Sequence, residues 1–381
     1  MLTDSSPSNL IPSEQGDVLR DWIARPYSDW QHRYPGRRAL GYICTYAPLE
    51  LLHAAGLVPI RLMQSSDAVA VADAHLPSFA CALARTVSAR MLRGELDFLE
   101  GVLFVHTCDT MQCMADVWRM ARPRFRVLNF SLPSVLSQAS TRDYLLAELH
   151  ALASTLQSAL DARVTEETLR ASIALYNEQR RLLAMLHGEQ RGRLVAEELW
   201  SLTLAGMVMP VEEHNNLLRE TLRQAGPRAN VLSRGPAVLL VGAVLDDLTI
   251  PTLIAELGGQ VVGDDLCTGS RYFDTLADER KEPFAALADR YLQRAPCPAK
   301  HDAARPRAPR LLDQVRSRQA QGVVFILPKF CDPHAFDYVP LAKTLADAGV
   351  PHLLIETDLT VPAGQLRTRL QAFLELLDND R

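Results

Sequence analysis

Four of the seven cysteines fall where an alternating strand–helix chain puts its reactive groups. Residues 322–333 read as a glycine, a short apolar strand and then Pro-Lys-Phe-Cys-Asp-Pro, which hands Cys331 to the loop beyond the strand. Residues 101–109 repeat that grammar and end on Cys108 and Asp109. Cys44 closes another apolar stretch, and Cys81 falls in the first turn of a helix, where free N–H groups and the helix dipole favour a thiolate. Open α/β sheets bind ligands beyond the carboxyl ends of their strands. Thiolates drawn from such distant segments suit an iron–sulfur cluster framed by the tertiary fold. Three protein thiolates would leave one iron open, by the logic of a catalytic zinc site. Cys108 and Cys113 form a C-x4-C, but there is no CxxC pair or Cys/His finger spacing, so a structural zinc knuckle is not expected. Cysteines that merely fill the core, or a single nucleophilic thiol, are the competing readings.

The elements that must position these thiols alternate along most of the chain. Strands are expected over 39–46, 57–63, 101–107 and 125–130, with helices over 49–55, 79–93 (capped by Ser78) and 111–120 between them. From 144 to about 224 the pattern changes to leucines at helical spacing (Leu145, Leu149, Leu152, Leu156, Leu160), which predicts three or four helices. Alternation resumes with strands over 237–244, 260–263, 322–327 and 352–356 and helices over 251–257, 311–319, 337–347 and 364–378, broken by an irregular Pro- and Arg-rich passage over 294–309. The fold class is therefore α/β, with two parallel-sheet domains of the Rossmann or flavodoxin kind and a helical region between them. The expected divisions are an N-terminal extension over 1–35, a first α/β domain over 36–135, the helical region over 136–228 and a second α/β domain over 229–381.

The bulk properties exclude several roles. At 381 residues and 48% hydrophobic, the chain can bury more than one core. A formal net charge of −5 argues against a nucleic-acid or polybasic membrane role, and no apolar run reaches bilayer-spanning length. A cytoplasmic protein is expected. Cysteines without a signal peptide suggest metal or redox chemistry before disulfides. Neither G-x-x-x-x-G-K-[ST] nor G-x-G-x-x-G occurs, so the chain is not expected to bind ATP itself.

Several motifs in order resemble the 2-hydroxyacyl-CoA dehydratase/benzoyl-CoA reductase family. They are the stretch 41–56 around Cys44, the Cys81 segment, 97–109 ending in Cys-Asp, Met-Pro-Val-Glu-Glu-His over 209–214, 264–273, Phe-Cys-Asp-Pro over 330–333, and the tail segments 350–358 and 364–369. The resemblance implies a [4Fe-4S] cluster on three cysteines, a paralogous iron–sulfur subunit as heterodimer partner, a separate ATP-hydrolysing protein that delivers low-potential electrons, and an acyl-CoA substrate. Dehydratase members make a ketyl radical and expel a hydroxyl; reductase members drive electrons into the ring of benzoyl-CoA. Of 40 Lys and Arg residues only Lys281, Lys300, Lys329 and Lys343 are lysine, a bias that tilts the expectation toward ring reduction. A dehydratase subunit and an electron relay without substrate chemistry are the alternatives.

Within that resemblance, Cys81, Cys108 and Cys331 are the expected ligands, with Cys44 the alternative to Cys81. Cys113, Cys267 and Cys297 are expected to be packing or loop residues. Glu50 and His53 share one face of a short helix. Glu50 is the candidate catalytic proton carrier, with a dipole-stabilised helix-start carboxylate as its plainer role, and His53 is expected to be packed. Asp109 and Asp332 are expected to cap the helices after the ligand cysteines.

Overall fold

A computed structural model of the chain describes residues 19, 22–23, 25–65, 68–188, 196–224, 235–300, 302, 306–359 and 363–379. Two four-stranded, all-parallel sheets organise it. The first contains β1 (Arg38–Tyr42), β2 (Leu57–Arg61), β3 (Val102–His106) and β4 (Val127–Ser131), in the order β2-β1-β3-β4. The second contains β5 (Ala237–Gly242), β6 (Gln260–Asp265), β7 (Gly322–Pro328) and β8 (His352–Thr357), in the order β6-β5-β7-β8. The two halves thus share one strand order, and the expected α/β class with two parallel-sheet domains is what the chain forms.

The strand sequences explain why. β3 and β7 are near-continuous runs of Val, Leu, Ile and Phe, buried along almost their whole length. That composition suits strands covered by helices on both faces. In each sheet the chain winds one way through β1–β2 or β5–β6, then crosses back to start β3 or β7. The reversal lies between β1 and β3, and between β5 and β7, which is where such sheets open a crevice for ligands.

Four helices fill the region between the sheets: Thr141–Leu160, Glu166–His187, Ala196–Ala205 and Val211–Gln224. The leucine stripe over Leu145, Leu149, Leu152, Leu156 and Leu160 is buried as the periodicity predicts. Each such side chain contributes about 1.5–3 kcal/mol on burial. The expected boundary between residues 228 and 229 lies outside the described residues. Trp22, Tyr27 and Trp30 are buried, and Trp30 Nε1 donates to the Val208 carbonyl at 3.2 Å. The described part of the N-terminal segment is therefore packed onto the fold. Among the described residues no helix is long and apolar enough to cross a membrane.

Several element starts differ from expectation. The helix expected over 79–93 runs Ala82–Leu92, and Cys81 rather than Ser78 is its N-cap, with extended backbone angles. Its carbonyl accepts the first helical bond from Arg85 N at 3.2 Å. The helix expected from 337 begins at Asp332, because Pro333 falls in the first turn, where a missing N–H costs nothing. Asp109 and Asp332 are therefore first helical residues, and Cys108 and Cys331 are the N-caps. The helix Pro283–Gln293 was not expected and packs against Thr141–Leu160. Its start is marked by Glu282, whose carboxylate accepts from Phe284 N and Ala285 N.

Candidate active site at the thiol cleft

Cys81, Cys108 and Cys331 each occupy the N-cap of a helix: Ala82–Leu92, Asp109–Ala121 and Asp332–Asp347. Packing fixes the first two helices against each other. Trp118 is fully buried, donates from Nε1 to Ser88 Oγ at 2.8 Å, and meets Phe104 of β3 edge-on at 5.1 Å. The third cysteine follows Phe330, whose φ of 63° lies in the left-handed region. A bulky residue there is strained by about 1–2 kcal/mol. This turn drops the chain from β7 directly into the N-cap.

The three cysteines line one cavity of about 770 Å³ together with Thr107, Ser134, Pro298, Lys300 and Arg307. That size suits a small-molecule or cofactor site. All seven cysteines are free thiols. Burial pushes the three cleft thiols up, Cys108 to about 11. Backbone amides in the first turns oppose this: Leu83 and Ala84 at Cys81, Met111 at Cys108 and His334 at Cys331. The cleft therefore presents three desolvated thiols, each at a helix N-terminus, to one space. Among the described residues, no three His, Cys, Asp or Glu side chains stand close enough to hold a single metal ion.

Buried ion pairs brace the cleft wall. Asp265, at the end of β6, accepts from Arg271 Nε at 2.6 Å and from Arg307 Nη2 at 2.9 Å. Burial alone would raise its carboxyl, but the two guanidiniums hold it well below the usual range. Arg307 also donates from Nε to Asp337 at 2.8 Å and from Nη1 to the Pro296 carbonyl at 2.6 Å, which ties Pro296 to the Asp332–Asp347 helix. Thr45, just past β1, joins the halves: its hydroxyl donates to the Cys267 carbonyl at 2.6 Å and accepts from Arg61 at 2.8 Å, while its carbonyl accepts from Arg294 at 2.7 Å.

The other candidates lie elsewhere. Cys44 is not on the cleft wall; its sulfur accepts from Tyr46 N at 3.5 Å. Cys267 is half-buried in the loop after β6, Cys297 is buried, and Cys113 is exposed on its helix. Glu50 is fully buried away from the cleft lining, in an ion pair with Arg180. Burial pushes its carboxyl up, but Arg180 and Arg290 outweigh this and hold it low. His53 is held between Ser172 Oγ at 2.7 Å and Glu212 Oε1 at 3.2 Å, a packed histidine as expected. Sequence reasoning passed over Lys300 and Arg307, because both lie in a passage without periodicity; two basic residues set among prolines were the signal available.

Known proteins match this chain along most of its length. The (R)-phenyllactyl-CoA dehydratase beta subunit of Clostridium sporogenes is 27% identical over 90% of this chain and 92% of its own length. A benzoyl-CoA reductase subunit of Thauera aromatica is 29% identical over 85% of this chain and 86% of its own. The (R)-2-hydroxyglutaryl-CoA dehydratase subunit beta of Acidaminococcus fermentans is 25% identical, covering 91% and 94%. With the family model for the 2-hydroxyglutaryl-CoA dehydratase D-component matching residues 44–377, from the first strand-end cysteine almost to the C-terminus, the chain belongs to that family of dehydratase and reductase subunits.

Proposed function

We propose that the chain is a [4Fe-4S] subunit of an acyl-CoA enzyme that works at low potential, and that it reduces the ring of an aromatic acyl-CoA. The observation that carries this reading is the convergence of Cys81, Cys108 and Cys331 on one cleft, in a family whose named relatives act on acyl-CoA thioesters. The donor set fits such a cluster. Three thiols without a disulfide surround a space larger than one ion needs, and a cluster spreads its thiolates over separate irons. When bound by these three cysteines, the cluster supplies low-potential electron transfer.

The chain's own residues do the rest. The first-turn amides of Leu83 and Ala84 at Cys81, Met111 at Cys108 and His334 at Cys331 favour the thiolates and moderate their charge. Pro333 and Leu341 form an apolar wall that excludes water from a bound acyl group. Arg307, fixed by Asp265 and Asp337, holds that wall in place. Glu50 serves this reading as a positioning group. Its pair with Arg180 locks the helix after β1 to the helical region, behind the loop that carries Cys44 and Thr45.

Phe330, Phe336 and Val339 are exposed beside the cleft, an apolar rim that a related subunit would cover. The electrons come from a separate ATP-hydrolysing protein, since this sequence carries no P-loop. Dehydration of a 2-hydroxyacyl-CoA is the second reading, favoured by the relatives named as phenyllactyl- and hydroxyglutaryl-CoA dehydratase subunits.

Anaerobic purification followed by iron and sulfide analysis and EPR tests the cluster. Product analysis with benzoyl-CoA and with 2-hydroxyacyl-CoA then separates reduction from dehydration. A cluster with no acyl-CoA turnover or binding marks the chain as an electron relay, and absence of iron overturns the whole reading.

A further inference from the structure

Among the described residues, one cation on the cleft wall lacks an anionic partner. Lys300 is 6% exposed, and its Nζ donates to the Leu132 carbonyl at 3.0 Å, which leaves two N–H groups. No carboxylate pairs with it among the described residues; the nearby groups that favour its charge are the thiols of Cys44 and Cys297. Arg307, the other cation on the wall, is committed to Asp265, Asp337 and the Pro296 carbonyl. Burial correspondingly depresses the Lys300 pKa. A desolvated ammonium with one neutral acceptor is costly unless a further oxygen completes its shell. Two spare N–H groups on a compact charge suit one oxygen that gains negative charge, rather than the planar, bidentate recognition an Arg would give a phosphate.

We propose that Lys300 donates to the thioester carbonyl oxygen of the bound acyl-CoA and stabilises the negative charge that develops there, an inference that rests on the acyl-CoA reading above. It makes Lys300 a substrate-contacting residue of the cleft. Its place in the fold supports this: the same cavity wall carries the three N-cap cysteines, so a carbonyl held by Lys300 stays within the space they enclose.

The test uses the enzyme reconstituted with its partner subunit and acyl-CoA carrying a 13C thioester carbonyl. Isotope-edited infrared spectroscopy reads the carbonyl stretch of the bound thioester in wild type and in Lys300→Met, Lys300→Gln and Lys300→Arg, alongside iron content and kinetics. We expect a downshifted stretch in wild type, largely kept in Lys300→Arg, weaker in Lys300→Gln and lost in Lys300→Met. Iron content should be unchanged, with kcat reduced on the order of 10²-fold in Lys300→Met and KM altered far less. Should the Met variant fail to fold or lose iron, the Gln and Arg variants carry the same comparison. A carbonyl stretch that does not depend on residue 300 overturns the role of Lys300 alone. An iron-loaded wild-type enzyme that binds no acyl-CoA overturns the functional reading, and this role with it.

Discussion

Cys108 and Cys331 hold equivalent positions in two sheets of the same strand order: each N-caps the helix after the third strand, and both face one cleft. Cys81 completes the set from the helix packed beside that of Cys108. Replacing Cys81, Cys108 or Cys331 by Ser should each strip most of the iron from anaerobically purified protein. Cys44→Ser and Cys113→Ser should retain it. Iron analysis with EPR on the five variants checks this, and a Cys44→Ser protein that loses its cluster while Cys81→Ser keeps it reverses the assignment of the third ligand.

The Glu50–Arg180 pair is buried on both sides. Glu50→Gln leaves Arg180, and Arg290 beside it, without their anion, and should cost roughly 3–5 kcal/mol of stability. Adding Arg180→Met should recover part of that loss. The sign of the pH dependence follows from a carboxyl held low in the fold. Its contribution is complete above the unfolded pKa of about 4.3 and is lost as pH falls through the lower folded value. Urea unfolding of wild type and both variants at pH 7 and in acid measures the effect; equal stability of Glu50→Gln and wild type at pH 7 would count against it.

Asp246 behaves in the opposite sense. Burial pushes its carboxyl up to about 7; Oδ2 accepts from Gln64 N at 2.7 Å, while Oδ1 has no partner among the described residues. Its folded pKa is raised, so its contribution is complete below the unfolded value of about 3.9 and is lost as pH rises toward 7. Asp246→Asn keeps an acceptor for Gln64 and removes the charge. Its stability relative to wild type should rise between pH 4 and pH 7, by up to ~4 kcal/mol. The difference between the two proteins isolates this group from His187 and His214, which burial holds down to about 4 in both. A constant difference across that range refutes the prediction.

Gly242 ends β5 where the backbone of β7 passes closest. A Cβ there would lie 2.0 Å from the Ile326 carbonyl oxygen. The obstacle is paired backbone in the middle of a sheet, so Gly242→Ala must part β5 from β7. A loss of at least ~2 kcal/mol, or failure to accumulate as folded protein, is the expected outcome. Gly258→Asn is the contrast: its φ of 83° is a conformation Asn tolerates, and a Cβ there meets nothing within 4 Å. Thermal unfolding of the two variants should separate them clearly.

Much of this protein was legible without coordinates, because its signals are local. Apolar runs such as β3 and β7, the leucine stripe from Leu145 to Leu160, and glycines after helices all act within a few residues, so strand and helix order and the α/β class follow from the sequence. The strand-end placement of Cys108 and Cys331 was legible for the same reason. Element starts were less so. Whether Cys81 or Ser78 caps a helix, or Pro333 ends a loop or opens a helix, turns on backbone angles that neighbouring packing selects. The meeting of three thiols across 250 residues, the withdrawal of Glu50 into a buried ion pair and the placement of Lys300 on the cleft wall were decided only by tertiary structure. Such long-range contacts depend on how two sheets and a helical region pack, and no periodicity in the chain records that.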